Sequence, residues 1–374
     1  MKPYVKAAAV AMVAILLAAG LYVGLNLDWG DDGREQITVT DMFNRKVEVP
    51  TNLTKVVAAG TAALRFVTYL NGSSTIIGVE DFEKDMTPAG LGGRTYAIAH
   101  PEFADLKSIG PQFGGDAELM AAANPEVIFY SPRNQQASDC DTLQGQTGIP
   151  VVGLSTSIDL SNNIGSFYRQ IDLVGKILGT QERAEALKAY IGDLIDDIGS
   201  RVEDISAENR PTVFIGGLSY GGNHGLDWTS INYLPFLLLN ASNVITTELL
   251  STGTGQISID EIWKKNPEYV FVDRAGLSLA KTQYDQYKSS LDEVNAFKNG
   301  NVYGVLQTNW YASNWDTVLL SCYYVGKVLY PEKFADVEIS EKADEIYTMM
   351  LGKPIYDKVI ENTGGDFGKI SLAS

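Results

Sequence analysis

Two stretches of sequence, one in each half of the chain, share a single pattern and decide the fold. Residues 108–133 read SIGPQFGGDAELMAAANPEVIFYSPR, and residues 251–276 read STGTGQISIDEIWKKNPEYVFVDRAG. Each has a glycine-rich approach, an acidic residue before a helix-like run, Asn-Pro-Glu, an apolar strand-like run and then an arginine. We therefore interpret the two halves of the chain as variants of one unit in which a helix precedes a buried strand.

Short apolar runs, each followed by a helix-like stretch, surround both segments. Strands alternating with helices predict βαβ units and mainly parallel sheets, so the fold class is α/β. Before them, residues 37–50 alternate apolar and polar side chains around a turn, which predicts a β-hairpin. The predicted strands that follow the hairpin are residues 55–59, 76–79, 127–130 and 151–154 in the first half, and 212–216, 269–273 and 301–305 in the second.

A long helical pattern separates the two halves. Apolar residues recur at steps of three and four between residues 162 and 202, and Gly179-Thr180 interrupts them. This predicts two helices, the second from about Gln181 to Val202 with Thr180 as its N-cap. We expect that second helix to join two lobes with central, mainly parallel sheets. The predicted domains are an N-terminal lobe at 36–178, the inter-lobe helix at 179–208 and a C-terminal lobe at 209–374.

Residues 1–35 are predicted to be an N-terminal membrane anchor or signal segment with its linker. An uncharged apolar stretch at residues 7–27 has lysines before it and aspartates after it, which predicts one membrane helix with the rest of the chain outside. The alternative is a cleaved signal, because residues 17–20 read Leu-Ala-Ala-Gly. Leu21 occupies the place that a lipoprotein cysteine would take. We therefore expect a membrane-anchored protein facing the extracellular or periplasmic side.

Composition excludes several classes of function. The formal charge of −17 argues against a nucleic-acid partner, because phosphate binding needs clustered Lys and Arg. Cys140 and Cys322 lie too far apart to suggest a cysteine cluster, and we expect buried free thiols. His100 and His224 are too few for a three-histidine zinc site. No nucleophile elbow, HExxH motif or phosphate loop is present, so we expect neither an enzyme nor a bound cofactor.

The paired segments, the opening hairpin and the long helix together resemble the substrate-binding proteins of ABC importers for iron-siderophore, haem and cobalamin. The resemblance covers nearly the whole chain after about residue 36. It implies an extracytoplasmic protein that captures a metal chelate, most simply a ferric complex, between two lobes. It also implies delivery to a permease dimer with ATPase subunits. Insertions at residues 83–105 and 220–236 depart from compact family members and leave the chelate open among siderophore, haem and corrinoid.

The resemblance assigns docking residues to the two paired helices. In the family, one glutamate at the start of each helix meets arginines of the permease, and the matching positions are Glu118 and Glu261. Two carboxylates held apart by a rigid body can dock on two cationic pockets in one orientation. Asp116 and Asp260 lie beside them and can share the task. The alternative is that these acids only complement the helix dipole.

Arginines near the ends of strands are candidates for holding an anionic chelate, because ligands of open parallel sheets bind outside the carboxyl ends of strands. Arg133 and Arg274 each follow a strand of a paired segment and are predicted to clamp ligand oxygens from the two lobes. Arg65 is predicted as a third contact. Arg94 and Tyr96 are predicted to line the rim of the cleft.

Aromatic residues in the same loops are candidates for contact with a bulky conjugated ligand, since flat rings with polar tips suit such a molecule. His224 lies in a glycine-rich loop from which it could reach an axial position of a bound metal, although a solvated loop histidine is the more common case. No direct metal site of the protein is predicted otherwise. The aromatic candidates are Phe113, Tyr220, Trp228, Trp310 and Tyr311.

Two other functions remain open from the sequence. A ligand-sensing ectodomain with a similar fold would also suit a membrane anchor, but only six residues precede the apolar stretch, so signalling would need a partner chain. An enzyme of related architecture is the weaker alternative, because no catalytic constellation is visible and fold alone does not set function.

Overall fold

The computed structural model describes residues 34–158, 160, 163–251 and 253–373, and it has an α/β fold. The predicted anchor falls almost wholly outside these residues. Within the described part of the chain, no helix is both long enough and apolar enough to cross a membrane. The strands are β1 Gln36–Thr40, β2 Lys46–Pro50, β3 Val56–Gly60, β4 Ile76–Val79, β5 Lys107–Ser108, β6 Val127–Ser131, β7 Val151–Gly153, β8 Thr212–Gly216, β9 Trp228–Ser230, β10 Ser242–Asn243, β11 Thr254–Gln256, β12 Tyr269–Asp273, β13 Val302–Val305 and β14 Gly368–Lys369.

Helices fill the connections between these strands, as the alternating pattern predicts. Short 3-10 turns occur as well, for example at Asp81–Lys84. The α-helices are α1 Ala63–Tyr69, α2 Pro88–Leu91, α3 Thr95–Ala99, α4 Ala117–Ala123, α5 Ala137–Thr147, α6 Ile164–Leu178, α7 Gln181–Val202, α8 Leu234–Leu238, α9 Ile259–Lys265, α10 Leu277–Gln286, α11 Lys288–Leu291, α12 Asn295–Lys298, α13 Trp315–Leu329, α14 Ile339–Leu351 and α15 Tyr356–Asn362.

The first sheet has five strands in the order β5-β4-β3-β6-β7, and every neighbouring pair is parallel. All five residues of the central strand β3 are buried, as expected for a strand covered on both faces by helices. The predicted hairpin is confirmed, because β1 and β2 pair antiparallel from Gln36 opposite Pro50 to Thr40 opposite Lys46.

The second sheet repeats this plan with the order β10-β8-β12-β13-β14. Its first four strands are parallel, and only β14 runs antiparallel to its neighbour β13. A separate two-stranded antiparallel sheet of β9 and β11 is added beside it, which the sequence pattern did not predict. The predicted mainly parallel α/β architecture is confirmed in both halves of the chain.

Helices α6 and α7 lie between the two sheets in sequence and pack against each other. Helix α6 ends at Gly179, whose φ of +73° favours glycine, and α7 then runs for 22 residues. Thr180 occupies the N-cap position, but its side chain makes no capping hydrogen bond. The role of α7 as a connector between lobes, and the domain boundaries drawn from it, remain predictions.

One large hydrophobic core contains residues of both sheets, for example Phe129 of β6 and Phe271 of β12. Helix α13 is buried along most of its length and contributes to this core. A smaller apolar cluster accompanies each sheet. Cys140 and Cys322 are buried free thiols, as expected, and burial raises the pKa of Cys140 to about 12, so neither is a reactive nucleophile.

Candidate functional site

The segment at residues 306–314, which we call the bridging loop, brings the two halves of the chain into contact. It leaves the carboxyl end of β13 in the second sheet and reaches residues beside the carboxyl ends of the first sheet. The Tyr311 hydroxyl donates to Glu80 Oε2 at 2.5 Å and accepts from the Phe113 backbone N–H at 2.7 Å. The Trp310 indole N–H donates to the Gly90 carbonyl at 3.1 Å. The carboxyl edges of the two sheets therefore meet, as binding in a parallel-sheet crevice requires.

Arg65 on helix α1 binds the backbone of the bridging loop. Its guanidinium is 1% exposed and donates to the carbonyls of Trp310 and Tyr311, each at 3.2 Å, and to Asn314 Oδ1 at 2.9 Å. A third loop carbonyl, that of Ala312, lies at 3.4 Å. Both terminal nitrogens of Arg65 are bonded to the loop, while its buried Nε has no partner among the described residues. Arg65 therefore stabilises the loop in this structure instead of presenting a free guanidinium to the cleft.

The rings of Trp310 and Tyr311 are engaged in the contact between the halves. Tyr311 packs on Phe82 with ring centroids 4.6 Å apart and on Phe113 at 5.4 Å. The Trp310 ring lies directly against Gly92, where a Cβ atom would come within 2.6 Å of it. Both aromatic residues are only partly exposed. Their predicted contact with a ligand remains a prediction, but their main packing partners are protein.

Two buried acids lie at the carboxyl edges, one in each sheet. Glu80 follows β4 directly, and Asp273 is the last residue of β12. The Asp273 carboxylate accepts from the Thr308 backbone N–H at 3.2 Å and from the Ala275 N–H at 2.9 Å. Burial is the main cause that raises the pKa of each carboxyl to about 7. Both acids can therefore change charge near neutral pH.

Three aromatic side chains form an open stack, which we call the aromatic shelf: Tyr220, His224 and Trp228. The imidazole of His224 lies 4.0 Å from the Trp228 ring at an interplanar angle of 12°, and Tyr220 stacks on Trp228 at 6.3 Å. Tyr220 is 63% exposed. The Trp228 indole N–H is buried and has no hydrogen-bond partner among the described residues. The shelf therefore offers ring faces, chiefly that of Tyr220, but not this donor.

Polar contacts hold the shelf in place at the end of β8. Asp227 accepts from the side-chain amides of Gln283 at 2.8 Å and Gln256 at 2.6 Å, which fixes the residue before Trp228. The Asn309 amide donates to the Ser219 carbonyl at 2.6 Å. Since Asn309 belongs to the bridging loop, this hydrogen bond connects the shelf to the contact between the two halves.

Arg133 is an exposed cation beside the first sheet, whereas the aromatic shelf belongs to the second half of the chain. It follows β6, is exposed, and lies over the Phe113 ring with its guanidinium carbon 4.7 Å from the centroid. Across the described residues, no hydrogen bond or ion pair ties its guanidinium to another side chain. Such a free guanidinium can bind a carboxylate, catecholate or oxyanion through two parallel hydrogen bonds.

The other predicted arginine contacts have different placements. Arg274 donates through Nε to the Asp366 carbonyl at 2.6 Å in the C-terminal segment, so the structure does not pair it with Arg133 as a clamp. Arg94 and Tyr96 are buried around Glu83, at 2.5 Å and 2.7 Å from its oxygens. The sequence predicted that both side chains would line the rim of the cleft, but they are bound to Glu83 inside the protein.

The two paired segments have the same local structure. Helix α4 is capped by the Asp116 side chain, which accepts from the Leu119 N–H at 2.9 Å, and α9 by Ser258, which accepts from the Asp260 N–H at 3.3 Å. Each helix ends at an asparagine in the left-handed region, at residues 124 and 266. The sequence echo is therefore a structural repeat.

The Asn-Pro-Glu triplets that follow these helices also act alike. Glu126 accepts the backbone N–H groups of Thr54 at 2.6 Å and Lys55 at 3.0 Å, immediately before β3. Glu268 accepts the Thr212 backbone N–H at 2.7 Å, at the start of β8. Each glutamate thus anchors the beginning of a central strand of its own sheet.

Alignment of the two capped helices pairs Glu118 with Asp260, and the docking role of these acids stays a prediction. Glu118 is the second residue of α4, and the second residue of α9 is Asp260. Both of these acids are exposed. The side chain of Glu261 is only 21% exposed and forms an ion pair with Lys264 at 2.7 Å. The structural counterpart of Glu118 is therefore Asp260, one position before the glutamate chosen from sequence.

The described residues contain no group of three or more His, Cys, Asp or Glu side chains that could hold a metal ion. His224 can still coordinate through one atom. Its Nε2 lies 2.9 Å from the Tyr220 carbonyl, and a carbonyl can only accept, so Nε2 carries the proton in the neutral ring. The other nitrogen, Nδ1, then keeps a free lone pair.

Glu80 and Asn309 were missed by the sequence analysis. Glu80 had a signal, because an acid directly after a buried parallel strand lies at the edge where ligands bind. The role of Asn309 depends on a distant carbonyl, that of Ser219. No local pattern in the sequence predicts that contact.

The chain is similar to proteins of one family over most of its length. The family model described as Periplasmic binding protein matches residues 84–307. The molybdate-binding protein MolA of Haemophilus influenzae is 21% identical over 332 residues, which covers 83% of this chain and 89% of MolA. The petrobactin-binding protein YclQ of Bacillus subtilis is 25% identical over 292 residues, which covers 76% of this chain and 84% of YclQ.

Solved structures share the same fold. A periplasmic solute binding protein from Veillonella parvula superposes with a TM-score of 0.68 at 19% identity, covering 88% of this chain and 97% of that protein. The structure of H. influenzae MolA bound to molybdate gives a TM-score of 0.65 at 19% identity, covering 85% of this chain and 98% of MolA. At these identities the likeness concerns the fold alone.

Proposed function

Because this chain belongs to the periplasmic binding protein family, which matches it over residues 84–307, we propose that it captures an anionic metal chelate for import. As a member of the family it is an extracytoplasmic substrate-binding protein of an ABC transporter, and not an enzyme. The chelate would lie between the carboxyl edges of the two sheets. Capture needs no bond to be made or broken, only a cleft that matches the charge and shape of the ligand.

The observation that carries this proposal is the pairing of an open cation with an open aromatic stack. Arg133 presents a guanidinium with no competing ion pair among the described residues. The aromatic shelf presents ring faces, and its Tyr220 is 63% exposed. A bulky anion with aromatic or conjugated parts can use both features at once.

The ligands after which the two relatives are named leave two chemistries to compare for this chain. YclQ is named for petrobactin and MolA for molybdate. A small oxyanion would use Arg133 and backbone donors but would leave a shelf headed by the 63% exposed Tyr220 without a partner. The exposed rings therefore favour the larger chelate, and we propose a ferric siderophore complex as its most suitable form.

Delivery would depend on a permease dimer with its ATPase subunits. We propose that Glu118 and Asp260, at equivalent places on α4 and α9, dock on cationic pockets of the two permease subunits. Helix α7 would join two lobes in this arrangement and restrict their relative motion. The apolar stretch at residues 7–27 would keep the protein at the membrane beside its permease.

A titration of the full chain monitored by tryptophan fluorescence tests the proposal. Ferric petrobactin, haemin, cobalamin and molybdate serve as probes, and Trp228 is the reporter in the shelf. We expect saturable quenching by the ferric siderophore with a Kd of about 1 μM or tighter, an affinity that corresponds to about 8 kcal/mol. Binding of molybdate alone would reject the chelate in favour of a small oxyanion, and binding of no probe would reject both.

A further inference from the structure

The Glu80 carboxylate is a buried junction between the two halves of the chain. It is 1% exposed and lies immediately after β4. Its Oε1 accepts the backbone N–H of Gly60 at 3.0 Å and that of Gly114 at 2.6 Å. Its Oε2 accepts the Tyr311 hydroxyl from the bridging loop at 2.5 Å. One carboxylate thus joins two loops of the first sheet to a loop of the second.

Backbone strain lies on both sides of this junction. Phe113 has a φ of +72° and Tyr311 a φ of +55°, although neither is a glycine. The next residue, Ala312, has a φ of +75°. Strained residues of this kind persist where the surroundings fix them, and they concentrate at ligand-binding and switch regions. The junction is therefore held in one geometry by the contacts around it.

The charges that face Glu80 do not neutralise it. Glu83, on its own segment, is paired with Arg94, and Tyr130 approaches from β6. Arg133 lies over the ring of Phe113, and the guanidinium of Arg65 binds the carbonyls of the bridging loop. The described residues contain no cation that bonds to Glu80. An anionic ligand beside Phe113 would add a second negative charge near a carboxylate without an ion-pair partner.

We propose that Glu80 is a positioning residue that couples capture of an anionic ligand to uptake of one proton, acting through Tyr311 and the Phe113–Gly114 backbone. The inference depends on the proposed function of the cleft as an anion site. The proton passes from solvent to a Glu80 oxygen when the ligand binds, and it returns to solvent when the ligand leaves. No covalent bond of the ligand changes.

The sign of the pH dependence follows from linkage. Burial already raises the pKa of Glu80 to about 7, and a nearby anion raises it further because the charged form is disfavoured. Ligand therefore binds the protonated form more tightly, and affinity is highest below pH 7. As pH rises through 7 and above, we expect affinity to fall by about tenfold for each unit by which the ligand shifts the pKa.

The test compares ferric petrobactin affinity at about pH 6 and about pH 8.5 in the full-length wild type and in Glu80→Gln. Wild type should bind about 5- to 10-fold more weakly at the higher pH, whereas Glu80→Gln should bind equally at both values because its amide cannot ionise. Asp273→Asn is the matched control, since Asp273 is also buried with a pKa of about 7 but does not contact Tyr311. It should retain the wild-type pH dependence.

A second variant keeps the inference open to rejection if Glu80→Gln does not fold. Tyr311→Phe removes a hydrogen bond that lowers the pKa of Glu80, so the fall in affinity should move to higher pH. An unchanged pH profile in either variant would overturn the role of Glu80. If ferric petrobactin binds to neither variant nor wild type at any pH, the proposed function fails first, and the coupling fails with it.

Discussion

Two groups of aromatic residues at the carboxyl edges have similar composition but opposite surroundings. Trp310 and Tyr311, in the bridging loop, are fastened by Arg65, Gly90 and Glu80. The aromatic shelf stacks on itself and leaves Tyr220 open. Both groups follow a strand of the second sheet, β13 and β8 respectively, where the sequence predicts ligand contacts.

The difference shows that position after a strand is not enough to make a ligand contact. A side chain in such a loop can use its polar atoms either to join the two halves of the protein or to meet a ligand. The Trp310 indole N–H and the Tyr311 hydroxyl are bonded to protein groups, whereas the exposed Arg133 guanidinium has no side-chain partner among the described residues. Exposed polar groups without a partner are therefore the better guide to the binding surface.

The largest expected effect is a loss of stability when the contacts that hold the bridging loop are removed. Arg65→Ala leaves three loop carbonyls and Asn314 without their donor, and we expect the free energy of unfolding to fall by about 2–4 kcal/mol. Chemical denaturation measures the change. Arg133→Ala is the control, because its exposed guanidinium should contribute less than about 0.5 kcal/mol to stability. Equal losses in the two variants would contradict the distinction.

The next largest effect concerns the affinity for ligand that the exposed Arg133 provides. Arg133→Ala should weaken binding of the ferric siderophore by about 10- to 100-fold, the range expected for loss of a charge-assisted hydrogen-bonded pair. Arg274→Ala should leave affinity unchanged, because that guanidinium is bound to the Asp366 carbonyl. Fluorescence titration of both variants decides the matter. A loss in both would restore the two-arginine clamp that the sequence alone suggests.

A smaller effect is expected from the shelf. Tyr220→Ala removes the most exposed ring of the stack, and affinity for the ferric siderophore should fall by about 3- to 10-fold. Tyr287→Ala, another partly exposed tyrosine of the second half, is the matched control and should have no effect. If the two variants bind alike, the shelf is not part of the ligand surface.

Repetition made much of the fold predictable from the sequence. The strands Ile76–Val79, Thr212–Gly216 and Tyr269–Asp273 and the helix Gln181–Val202 have the bounds that the sequence pattern predicts. Continuous apolar runs and regular helical spacing are local signals, and they are strong where a segment is buried. The small sheet of β9 and β11 was not predicted because its strands have only three residues each, and β9 lies in an insertion.

The site was less predictable, for a physical reason. Whether Arg94 meets a ligand or Glu83, and whether Arg274 meets a ligand or a backbone carbonyl, depends on which acceptor the fold brings near. Sequence gives the residue type and its place after a strand but not its nearest partner. The docking residues illustrate the same limit, because adjacent acids at 260 and 261 face different surroundings on one helical turn.

The smallest expected effect distinguishes these two acids and so sharpens the comparison between the repeated segments. Asp260→Asn and Glu118→Gln should each weaken binding of the loaded protein to its permease by about twofold, or about 0.4 kcal/mol, while chelate affinity stays the same. Glu261→Gln should have no effect on permease binding, because its carboxylate is paired with Lys264. The measurement is binding to permease in lipid nanodiscs at low and high salt. The losses should shrink at high salt, since exposed charges are screened there, and a larger loss in Glu261→Gln than in Asp260→Asn would return the docking role to Glu261.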